Sequence, residues 1–145
     1  MPKMKLEIIA AERVVYSDEV DILVAPGIDG ELGILPHHAP LLTYLKPGEL
    51  RVVKDGQDRY LAVTGGFLEV LGNKVSILAD AAEGAEEIDL ERAQAAMKRA
   101  QERVESRAAD VDLERALAAM RRAEARVKVA RRRRGPGAPP PTGTG

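Results

Sequence analysis

The chain has 145 residues, 45% of them hydrophobic and 31% charged, with a formal net charge of -1 and no cysteine. That length holds one ordinary domain or a small domain with an appendage, and without thiols there are no disulfides, cysteine nucleophiles or cysteine zinc sites. No run approaches the roughly 20 apolar residues of a membrane span, and Glu7 and Glu12 break up the first residues where a signal peptide is apolar, so a soluble cytoplasmic chain with no membrane insertion is expected.

The near-neutral total hides an asymmetry. Residues 1–87 carry 8 basic and 15 acidic groups, whereas residues 88–134 carry 14 basic and 8 acidic. Within the second part the excess is confined to residues 111–134, with 9 basic against 3 acidic, and it culminates in Arg131, Arg132, Arg133 and Arg134. Such a basic end suits an acidic partner.

From Leu6 to Ala79 short strand-like runs alternate with turn residues: Asp21 to Ala25, Leu50 to Val53, Tyr60 to Val63, Phe67 to Leu71 and Lys74 to Leu78. This spacing predicts a sandwich or barrel. Pro26-Gly27, Asp29-Gly30, Lys46-Pro47-Gly48, Asp55-Gly56 and Gly72-Asn73 supply the fixed or positive φ values that tight turns need. Val52 to Tyr60 reads as a hairpin about Asp55-Gly56.

After Gly84 the texture changes, and no Gly or Pro occurs between Ala85 and Arg134. The 17 residues from Ile88 to Val104 recur 23 positions later as Val111 to Val127, with 12 identities. Two copies are too few for a solenoid, so they predict two antiparallel helices joined near Ser106 to Asp110. Asp89 and Asp112 stand where N-caps belong. Leu90, Ala93, Met97, Ala100 and Val104 form a seam matched by Leu113, Ala116, Met120, Ala123 and Val127, predicting that the helices pack seam to seam. With so much alanine the buried apolar area is small and the hairpin is easy to open. The expected organisation is an all-β N-terminal sandwich over residues 1–84, a C-terminal antiparallel two-helix hairpin over 85–134 and a disordered Pro/Gly-rich tail over 135–145, an α+β chain overall.

The run Gly30-Glu31-Leu32-Gly33-Ile34-Leu35-Pro36-His37-His38-Ala39-Pro40-Leu41-Leu42-Thr43 resembles the most characteristic segment of the epsilon subunits of bacterial F-type (rotary) ATP synthases. Leu45 to Gly48, Thr64 to Val70 and Val75 to Asp80 look like their family counterparts, and the likeness extends from about Lys5 to Ala130. The resemblance implies a ten-stranded sandwich bearing the hairpin. It also implies a non-catalytic central-stalk subunit that couples the gamma subunit to the c ring of a proton-translocating synthase. The hairpin then either folds onto the sandwich or extends toward the alpha and beta subunits and blocks ATP hydrolysis. The expected place is peripheral, on the cytoplasmic face of the cell membrane within the complex. Glu31 and His38 fall at positions associated with c-ring and gamma contacts. Arg115, Arg121, Arg122 and the terminal arginine run would meet an acidic segment of a beta subunit.

Some family members bind ATP through a pattern matched here by Ile88, Asp89, Arg92 and Ala93; further contacts fall on Glu83, Arg99, Arg122 and Arg126. ATP is thus expected as a regulatory ligand, with no cofactor required. Arg92 and Arg99 lie on one helix face, as do Arg122 and Arg126, and guanidinium is planar, permanently charged and bidentate toward phosphate. One departure is Gly84, where nucleotide-binding members carry a bulkier residue.

Plainer readings stand beside these. Asp89 and Arg92 also fit a cap and an exposed arginine, and Asp-Leu-Glu-Arg-Ala recurs from Asp112 to Ala116 where no nucleotide role is expected. The terminal arginines equally suit a helix C-terminus. His37 and His38 point in different directions and have no further ligands, so no metal site is expected. No phosphate loop, Ser/His/Asp arrangement or metal cluster indicates an enzyme. A β-sandwich adaptor with a coiled-coil arm would share the architecture. A nucleic-acid binder would want aromatic platforms beside its basic helix, but all three Tyr and the one Phe lie in the acidic half.

Overall fold

The computed structural model describes residues 2–106 and 113–134. The connection between the two helical repeats, including Asp112, and the tail from 135 onward lie outside the described residues.

Ten strands come first: β1 (Met4–Ala10), β2 (Arg13–Val20), β3 (Ile22–Gly27), β4 (Gly30–Ile34), β5 (Leu41–Leu45), β6 (Gly48–Lys54), β7 (Gln57–Val63), β8 (Gly66–Leu71), β9 (Lys74–Ala79) and β10 (Ala82–Gly84). They form one ladder in the order β10-β7-β6-β3-β5-β8-β9-β1-β2, with β4 paired to β3. All pairs are antiparallel except β1 with β9. Two hairpins turn as the dipeptides dictate. Asp55 and Gly56 have φ of 50° and 77° between Lys54 and its partner Gln57, and Gly72 and Asn73 have φ of 57° and 60° between Leu71 and Lys74. Positive φ at both central residues is the turn whose twist suits a two-residue hairpin.

The ladder folds over a core filled by alternate residues of each strand. Leu6, Ile8, Leu23, Ile34, Leu50, Leu61, Leu68 and Ile77 are buried completely or nearly so. The opposite face of five strands is less well covered. Register pairing lines up Tyr44, Phe67, Leu78, Ile9 and Val14 across β5, β8, β9, β1 and β2, and of these Tyr44 is 68% and Val14 53% exposed.

A 3-10 turn at Ala85–Glu87 leads into α1 (Leu90–Ser106), followed by α2 (Leu113–Ala130) and a final 3-10 turn at Arg131–Arg134. The alanine seam forms, with Ala93 and Ala100 of α1 and Ala116, Ala123 and Val127 of α2 buried, but Leu113, expected in the seam, is 48% exposed at the start of α2. The single-seam expectation omits a second buried stripe on α2, made of Ala125, Val129 and Ala130. This stripe exists because α2 has two neighbours. It packs on α1 with one face and on β6, β7 and β10 with another, and a small apolar cluster of Ala62, Ala85, Ile88, Ala93, Val127, Val129 and Ala130 joins the parts.

Gly66 has a φ of +129°, and a Cβ there would collide with the carbonyl oxygen of Leu78 on β9. Gly66→Ala should destabilise the sandwich by about 1 to 3 kcal/mol, read from urea unfolding.

Lys3 donates to both carboxylate oxygens of Asp21 at 2.9 and 3.0 Å and to Asp55 at 2.8 Å, fastening the first strand to the β6–β7 turn. The Lys3 ammonium, helped by the backbone N–H of Asp55, holds the Asp21 carboxyl below its usual 3.8. A carboxyl depressed in the folded state stabilises the fold above its unfolded pKa and loses that contribution as pH falls through the lower folded value. Stability should therefore decline below about pH 4, and Asp21→Asn should flatten the decline in urea titrations repeated across pH.

Candidate functional site

Helix α1 starts where its first acidic residue can satisfy the open N–H groups of the first turn. Asp89 Oδ1 accepts the backbone N–H of Arg92 at 3.1 Å, and the Asp89 carbonyl accepts that of Ala93 at 3.0 Å. Just before it, Ile88 is buried in the small cluster under α2. Cap and anchor together set the rotational phase of α1, so that Arg92, Ala93, Ala96 and Arg99 face the same way.

They face a cavity of about 470 Å³. Ala123 and Arg126 of α2 close another side, and Glu83 of β10, Glu87, Ile88 and Asp89 complete it. The small side chains of Ala93, Ala96 and Ala123 leave the space open, while three arginines and three carboxylates surround it. Arg126 Nε donates to Glu83 Oε1 at 2.6 Å. Arg92 and Arg99 are exposed and make no ion pair with another described residue. Such a site offers planar, permanently charged donors to an anion and carboxylate acceptors to an amine.

Seven of the eight residues singled out in the sequence line this cavity: Glu83, Ile88, Asp89, Arg92, Ala93, Arg99 and Arg126. Arg122 does not; it is half-buried one helical turn before Arg126. Glu87, Ala96 and Ala123 join the lining without having been singled out. The four-residue spacing from Arg92 is a signal that could have found Ala96, but nothing local marks Glu87. Gly84 takes a φ of -72° and ψ of 156°, open to any residue, and a Cβ there would meet only side-chain ends, the nearest being Glu87 Oε1 at 3.3 Å. The unusual glycine is not imposed by the backbone.

Of the residues proposed for partner contacts, Glu31 and Arg121 are both exposed and line a second cavity of about 440 Å³ between the sandwich and α2. Arg115 is exposed near the start of α2. His38 Nδ1 lies 2.7 Å from the Ala39 carbonyl oxygen, a hydrogen bond when that nitrogen carries the proton. His37 has a φ of 66° and donates its backbone N–H to Asn73 Oδ1 at 2.9 Å. Among the described residues no group of three or more His, Cys, Asp or Glu side chains is placed to hold a metal ion.

Residues 3–85 match the family described as ATP synthase, Delta/Epsilon chain, beta-sandwich domain, and residues 86–131 match the one described as ATP synthase, Delta/Epsilon chain, long alpha-helix domain. The chain is 53% identical over 131 residues to the ATP synthase epsilon chain of Herpetosiphon aurantiacus, covering 90% of this chain and 96% of that one. This chain belongs to the ATP synthase epsilon family. It is also 57% identical over 105 residues to the epsilon chain of Carboxydothermus hydrogenoformans, covering 72% and 78%. The epsilon fold extends further than sequence: a chain of the Euglena gracilis mitochondrial ATP synthase, solved as OSCP/F1/c-ring in rotational state 1, superposes with a TM-score of 0.77 at 24% identity, over 88% of this chain and 81% of that one.

Asp89 is both a cavity residue and a helix cap. Asp89→Ala should lower helical stability by about 1 kcal/mol, while Asp89→Asn, which retains a capping oxygen, should cost much less. Thermal unfolding followed by far-ultraviolet circular dichroism checks this.

Proposed function

We propose that the chain is a non-catalytic central-stalk subunit of a proton-translocating ATP synthase. In this reading the sandwich couples the gamma subunit to the c ring, and the hairpin restrains ATP hydrolysis when it extends toward the alpha and beta subunits. The exposed row from Tyr44 to Val14 supports a partner seated on the sandwich, because an apolar surface of this kind marks an interaction site. No helix among the described residues is long and apolar enough to cross a membrane, which fits peripheral attachment through the complex at the cytoplasmic face.

The hairpin carries the second part of the proposal, that ATP binds the folded form. The observation behind it is the cavity with Arg92, Arg99 and Arg126 on its walls. Phosphates would lie against these guanidiniums, and Arg126 would exchange its Glu83 carboxylate for a phosphate or share itself between them. Because α1, α2 and β10 all contribute walls, the cavity vanishes when the hairpin leaves the sandwich. A ligand in it then stabilises the folded form by RT ln(1 + [L]/Kd), about 2.7 kcal/mol at a hundredfold excess over Kd. The alanine seam gives the hairpin little apolar area, so a contribution of that size decides its position.

Calorimetric titration with ATP, with and without Mg²⁺, is the test. One-to-one saturable binding is expected, weakened roughly tenfold or more by Arg92→Ala or Arg126→Ala because each removes a charged hydrogen-bond donor. Binding unchanged in both variants would remove the arginine cluster from the site, and no binding at millimolar ATP would leave a coupling subunit whose hairpin is set by other means.

A further inference from the structure

Ala62 on β7 is the register partner of Glu49 on β6 and of Glu83 on β10. Register partners point to the same side of a sheet, and this is the side that α2 covers. Helix α2 therefore lies across a row of carboxylate, methyl and carboxylate. Arg126 answers the carboxylate at one end, Glu83. At the other end, six residues further along the chain, Arg132 places Nε 2.7 Å from Glu49 Oε2 and Nη2 2.8 Å from Glu49 Oε1.

Three features make the second contact more than a surface ion pair. It is a two-pronged guanidinium–carboxylate bond, the strongest arrangement this pair can adopt. The Glu49 side chain is only 11% exposed, with Lys128 Nζ 3.9 Å away as its other cation. The Arg132 guanidinium also lies 4.5 Å above the centre of the Tyr60 ring, where a cation meets the negative face of the ring. Accordingly the Glu49 hydrogen bonds raise the pKa of Arg132.

We propose that Glu49 and Tyr60 form an arginine receptor on the sandwich, and that Arg132 is the latch that keeps the hairpin down, independently of any nucleotide. Removing Arg132 while the hairpin stays folded leaves a largely buried carboxylate whose remaining cation, Lys128, is one point charge 3.9 Å away, which is costly. A lysine at 132 would be a poor substitute, since it has neither the fork nor the flat face that stacks on Tyr60. This goes beyond the nucleotide reading and does not depend on it.

The chain has no cysteine, so spin labels at Gln57→Cys and Gln101→Cys report the distance from sandwich to α1 in the full-length protein. Measured without nucleotide at low salt, Glu49→Gln and Arg132→Gln should each raise the ratio of detached to folded hairpin by roughly tenfold, and the double variant should be little worse than either alone because both remove one interaction. High salt should shift the parent in the same direction and the variants less, because they have lost the latch and retain the Arg126–Glu83 pair and the general charge complementarity. Arg131→Gln, which alters the neighbouring exposed arginine, should leave the distances as they are. Unchanged distance distributions in Glu49→Gln and Arg132→Gln, or an equal shift in Arg131→Gln, would overturn the latch. Calorimetry of ATP binding to Glu49→Gln keeps the two proposals apart: a shifted distance distribution supports the latch whether ATP binds or not, and an unshifted one overturns it even where ATP binds as in the parent.

Discussion

Helix α2 can lie against β6, β7 and β10 because the residue beneath it, Ala62, presents only a methyl group. Ala62 is 2% exposed, and apart from Ile88 the buried residues clustered with it are also small: Ala85, Ala93, Val127, Val129 and Ala130. A larger side chain at this point would lift the helix from the sheet. With α2 displaced, the cavity between α1, α2 and β10 would lose a wall, and Arg126 of α2 and Arg132 of the turn after it would no longer reach Glu83 and Glu49. The close approach over a single methyl group thus fixes both the shape of the cavity and the pairing of charges around it.

Small residues give close contact but little buried area, and this shifts the balance of forces. The sandwich is held by a conventional core of Leu, Ile and Val, whose burial contributes roughly 1.5 to 3 kcal/mol for each large side chain. The hairpin meets it mainly through alanine and valine, so charged contacts take a larger share of what keeps it in place. The acidic bias of the first 87 residues and the basic bias of the last helix then acquire an intramolecular meaning: the two parts of the chain are each other's counter-charge in the folded form.

What was legible in the amino-acid order was whatever is encoded locally. Paired turn residues such as Asp55-Gly56 and Gly72-Asn73 set hairpins where they occur, the 23-residue repeat announced two like helices, and Asp89 stood where an N-cap belongs. Most of the cavity lining was named through the family resemblance, which points to Ile88, Asp89, Arg92, Ala93 and Arg99; helical periodicity adds only that Arg92 and Arg99 share a face. What could not be read depends on sheet register. Glu49 and Glu83 become neighbours of the same alanine only through two strand pairings, and nothing near Glu49 in sequence distinguishes it from any other strand carboxylate. The second stripe on α2 was missed for a related reason: the two repeats are nearly identical, but only one of them lies on the sheet, and Ala125, Val129 and Ala130 take their meaning from that neighbour. Arg122 shares a helix face with Arg126, but of α2 only Ala123 and Arg126 line the cavity, so a common face did not suffice to place it there.

The lone parallel pairing in the ladder bears on how the molecule comes into being. Strand β1 is flanked by β2, its immediate successor, and by β9, so that Lys5 sits beside Lys74. As a ribosome delivers the chain from its N-terminus, β1 and β2 emerge early, but the second edge of β1 stays open until nearly the whole sandwich has been made. Pairings between distant parts of a chain are slow to form, since the loop between them must be closed before any contact rewards it. The helices, rich in local contacts, can form as soon as they emerge, but the surface on which α2 rests includes β10, among the last strands to be synthesised. Assembly should accordingly end with α2 coming to rest on a sheet completed only moments before.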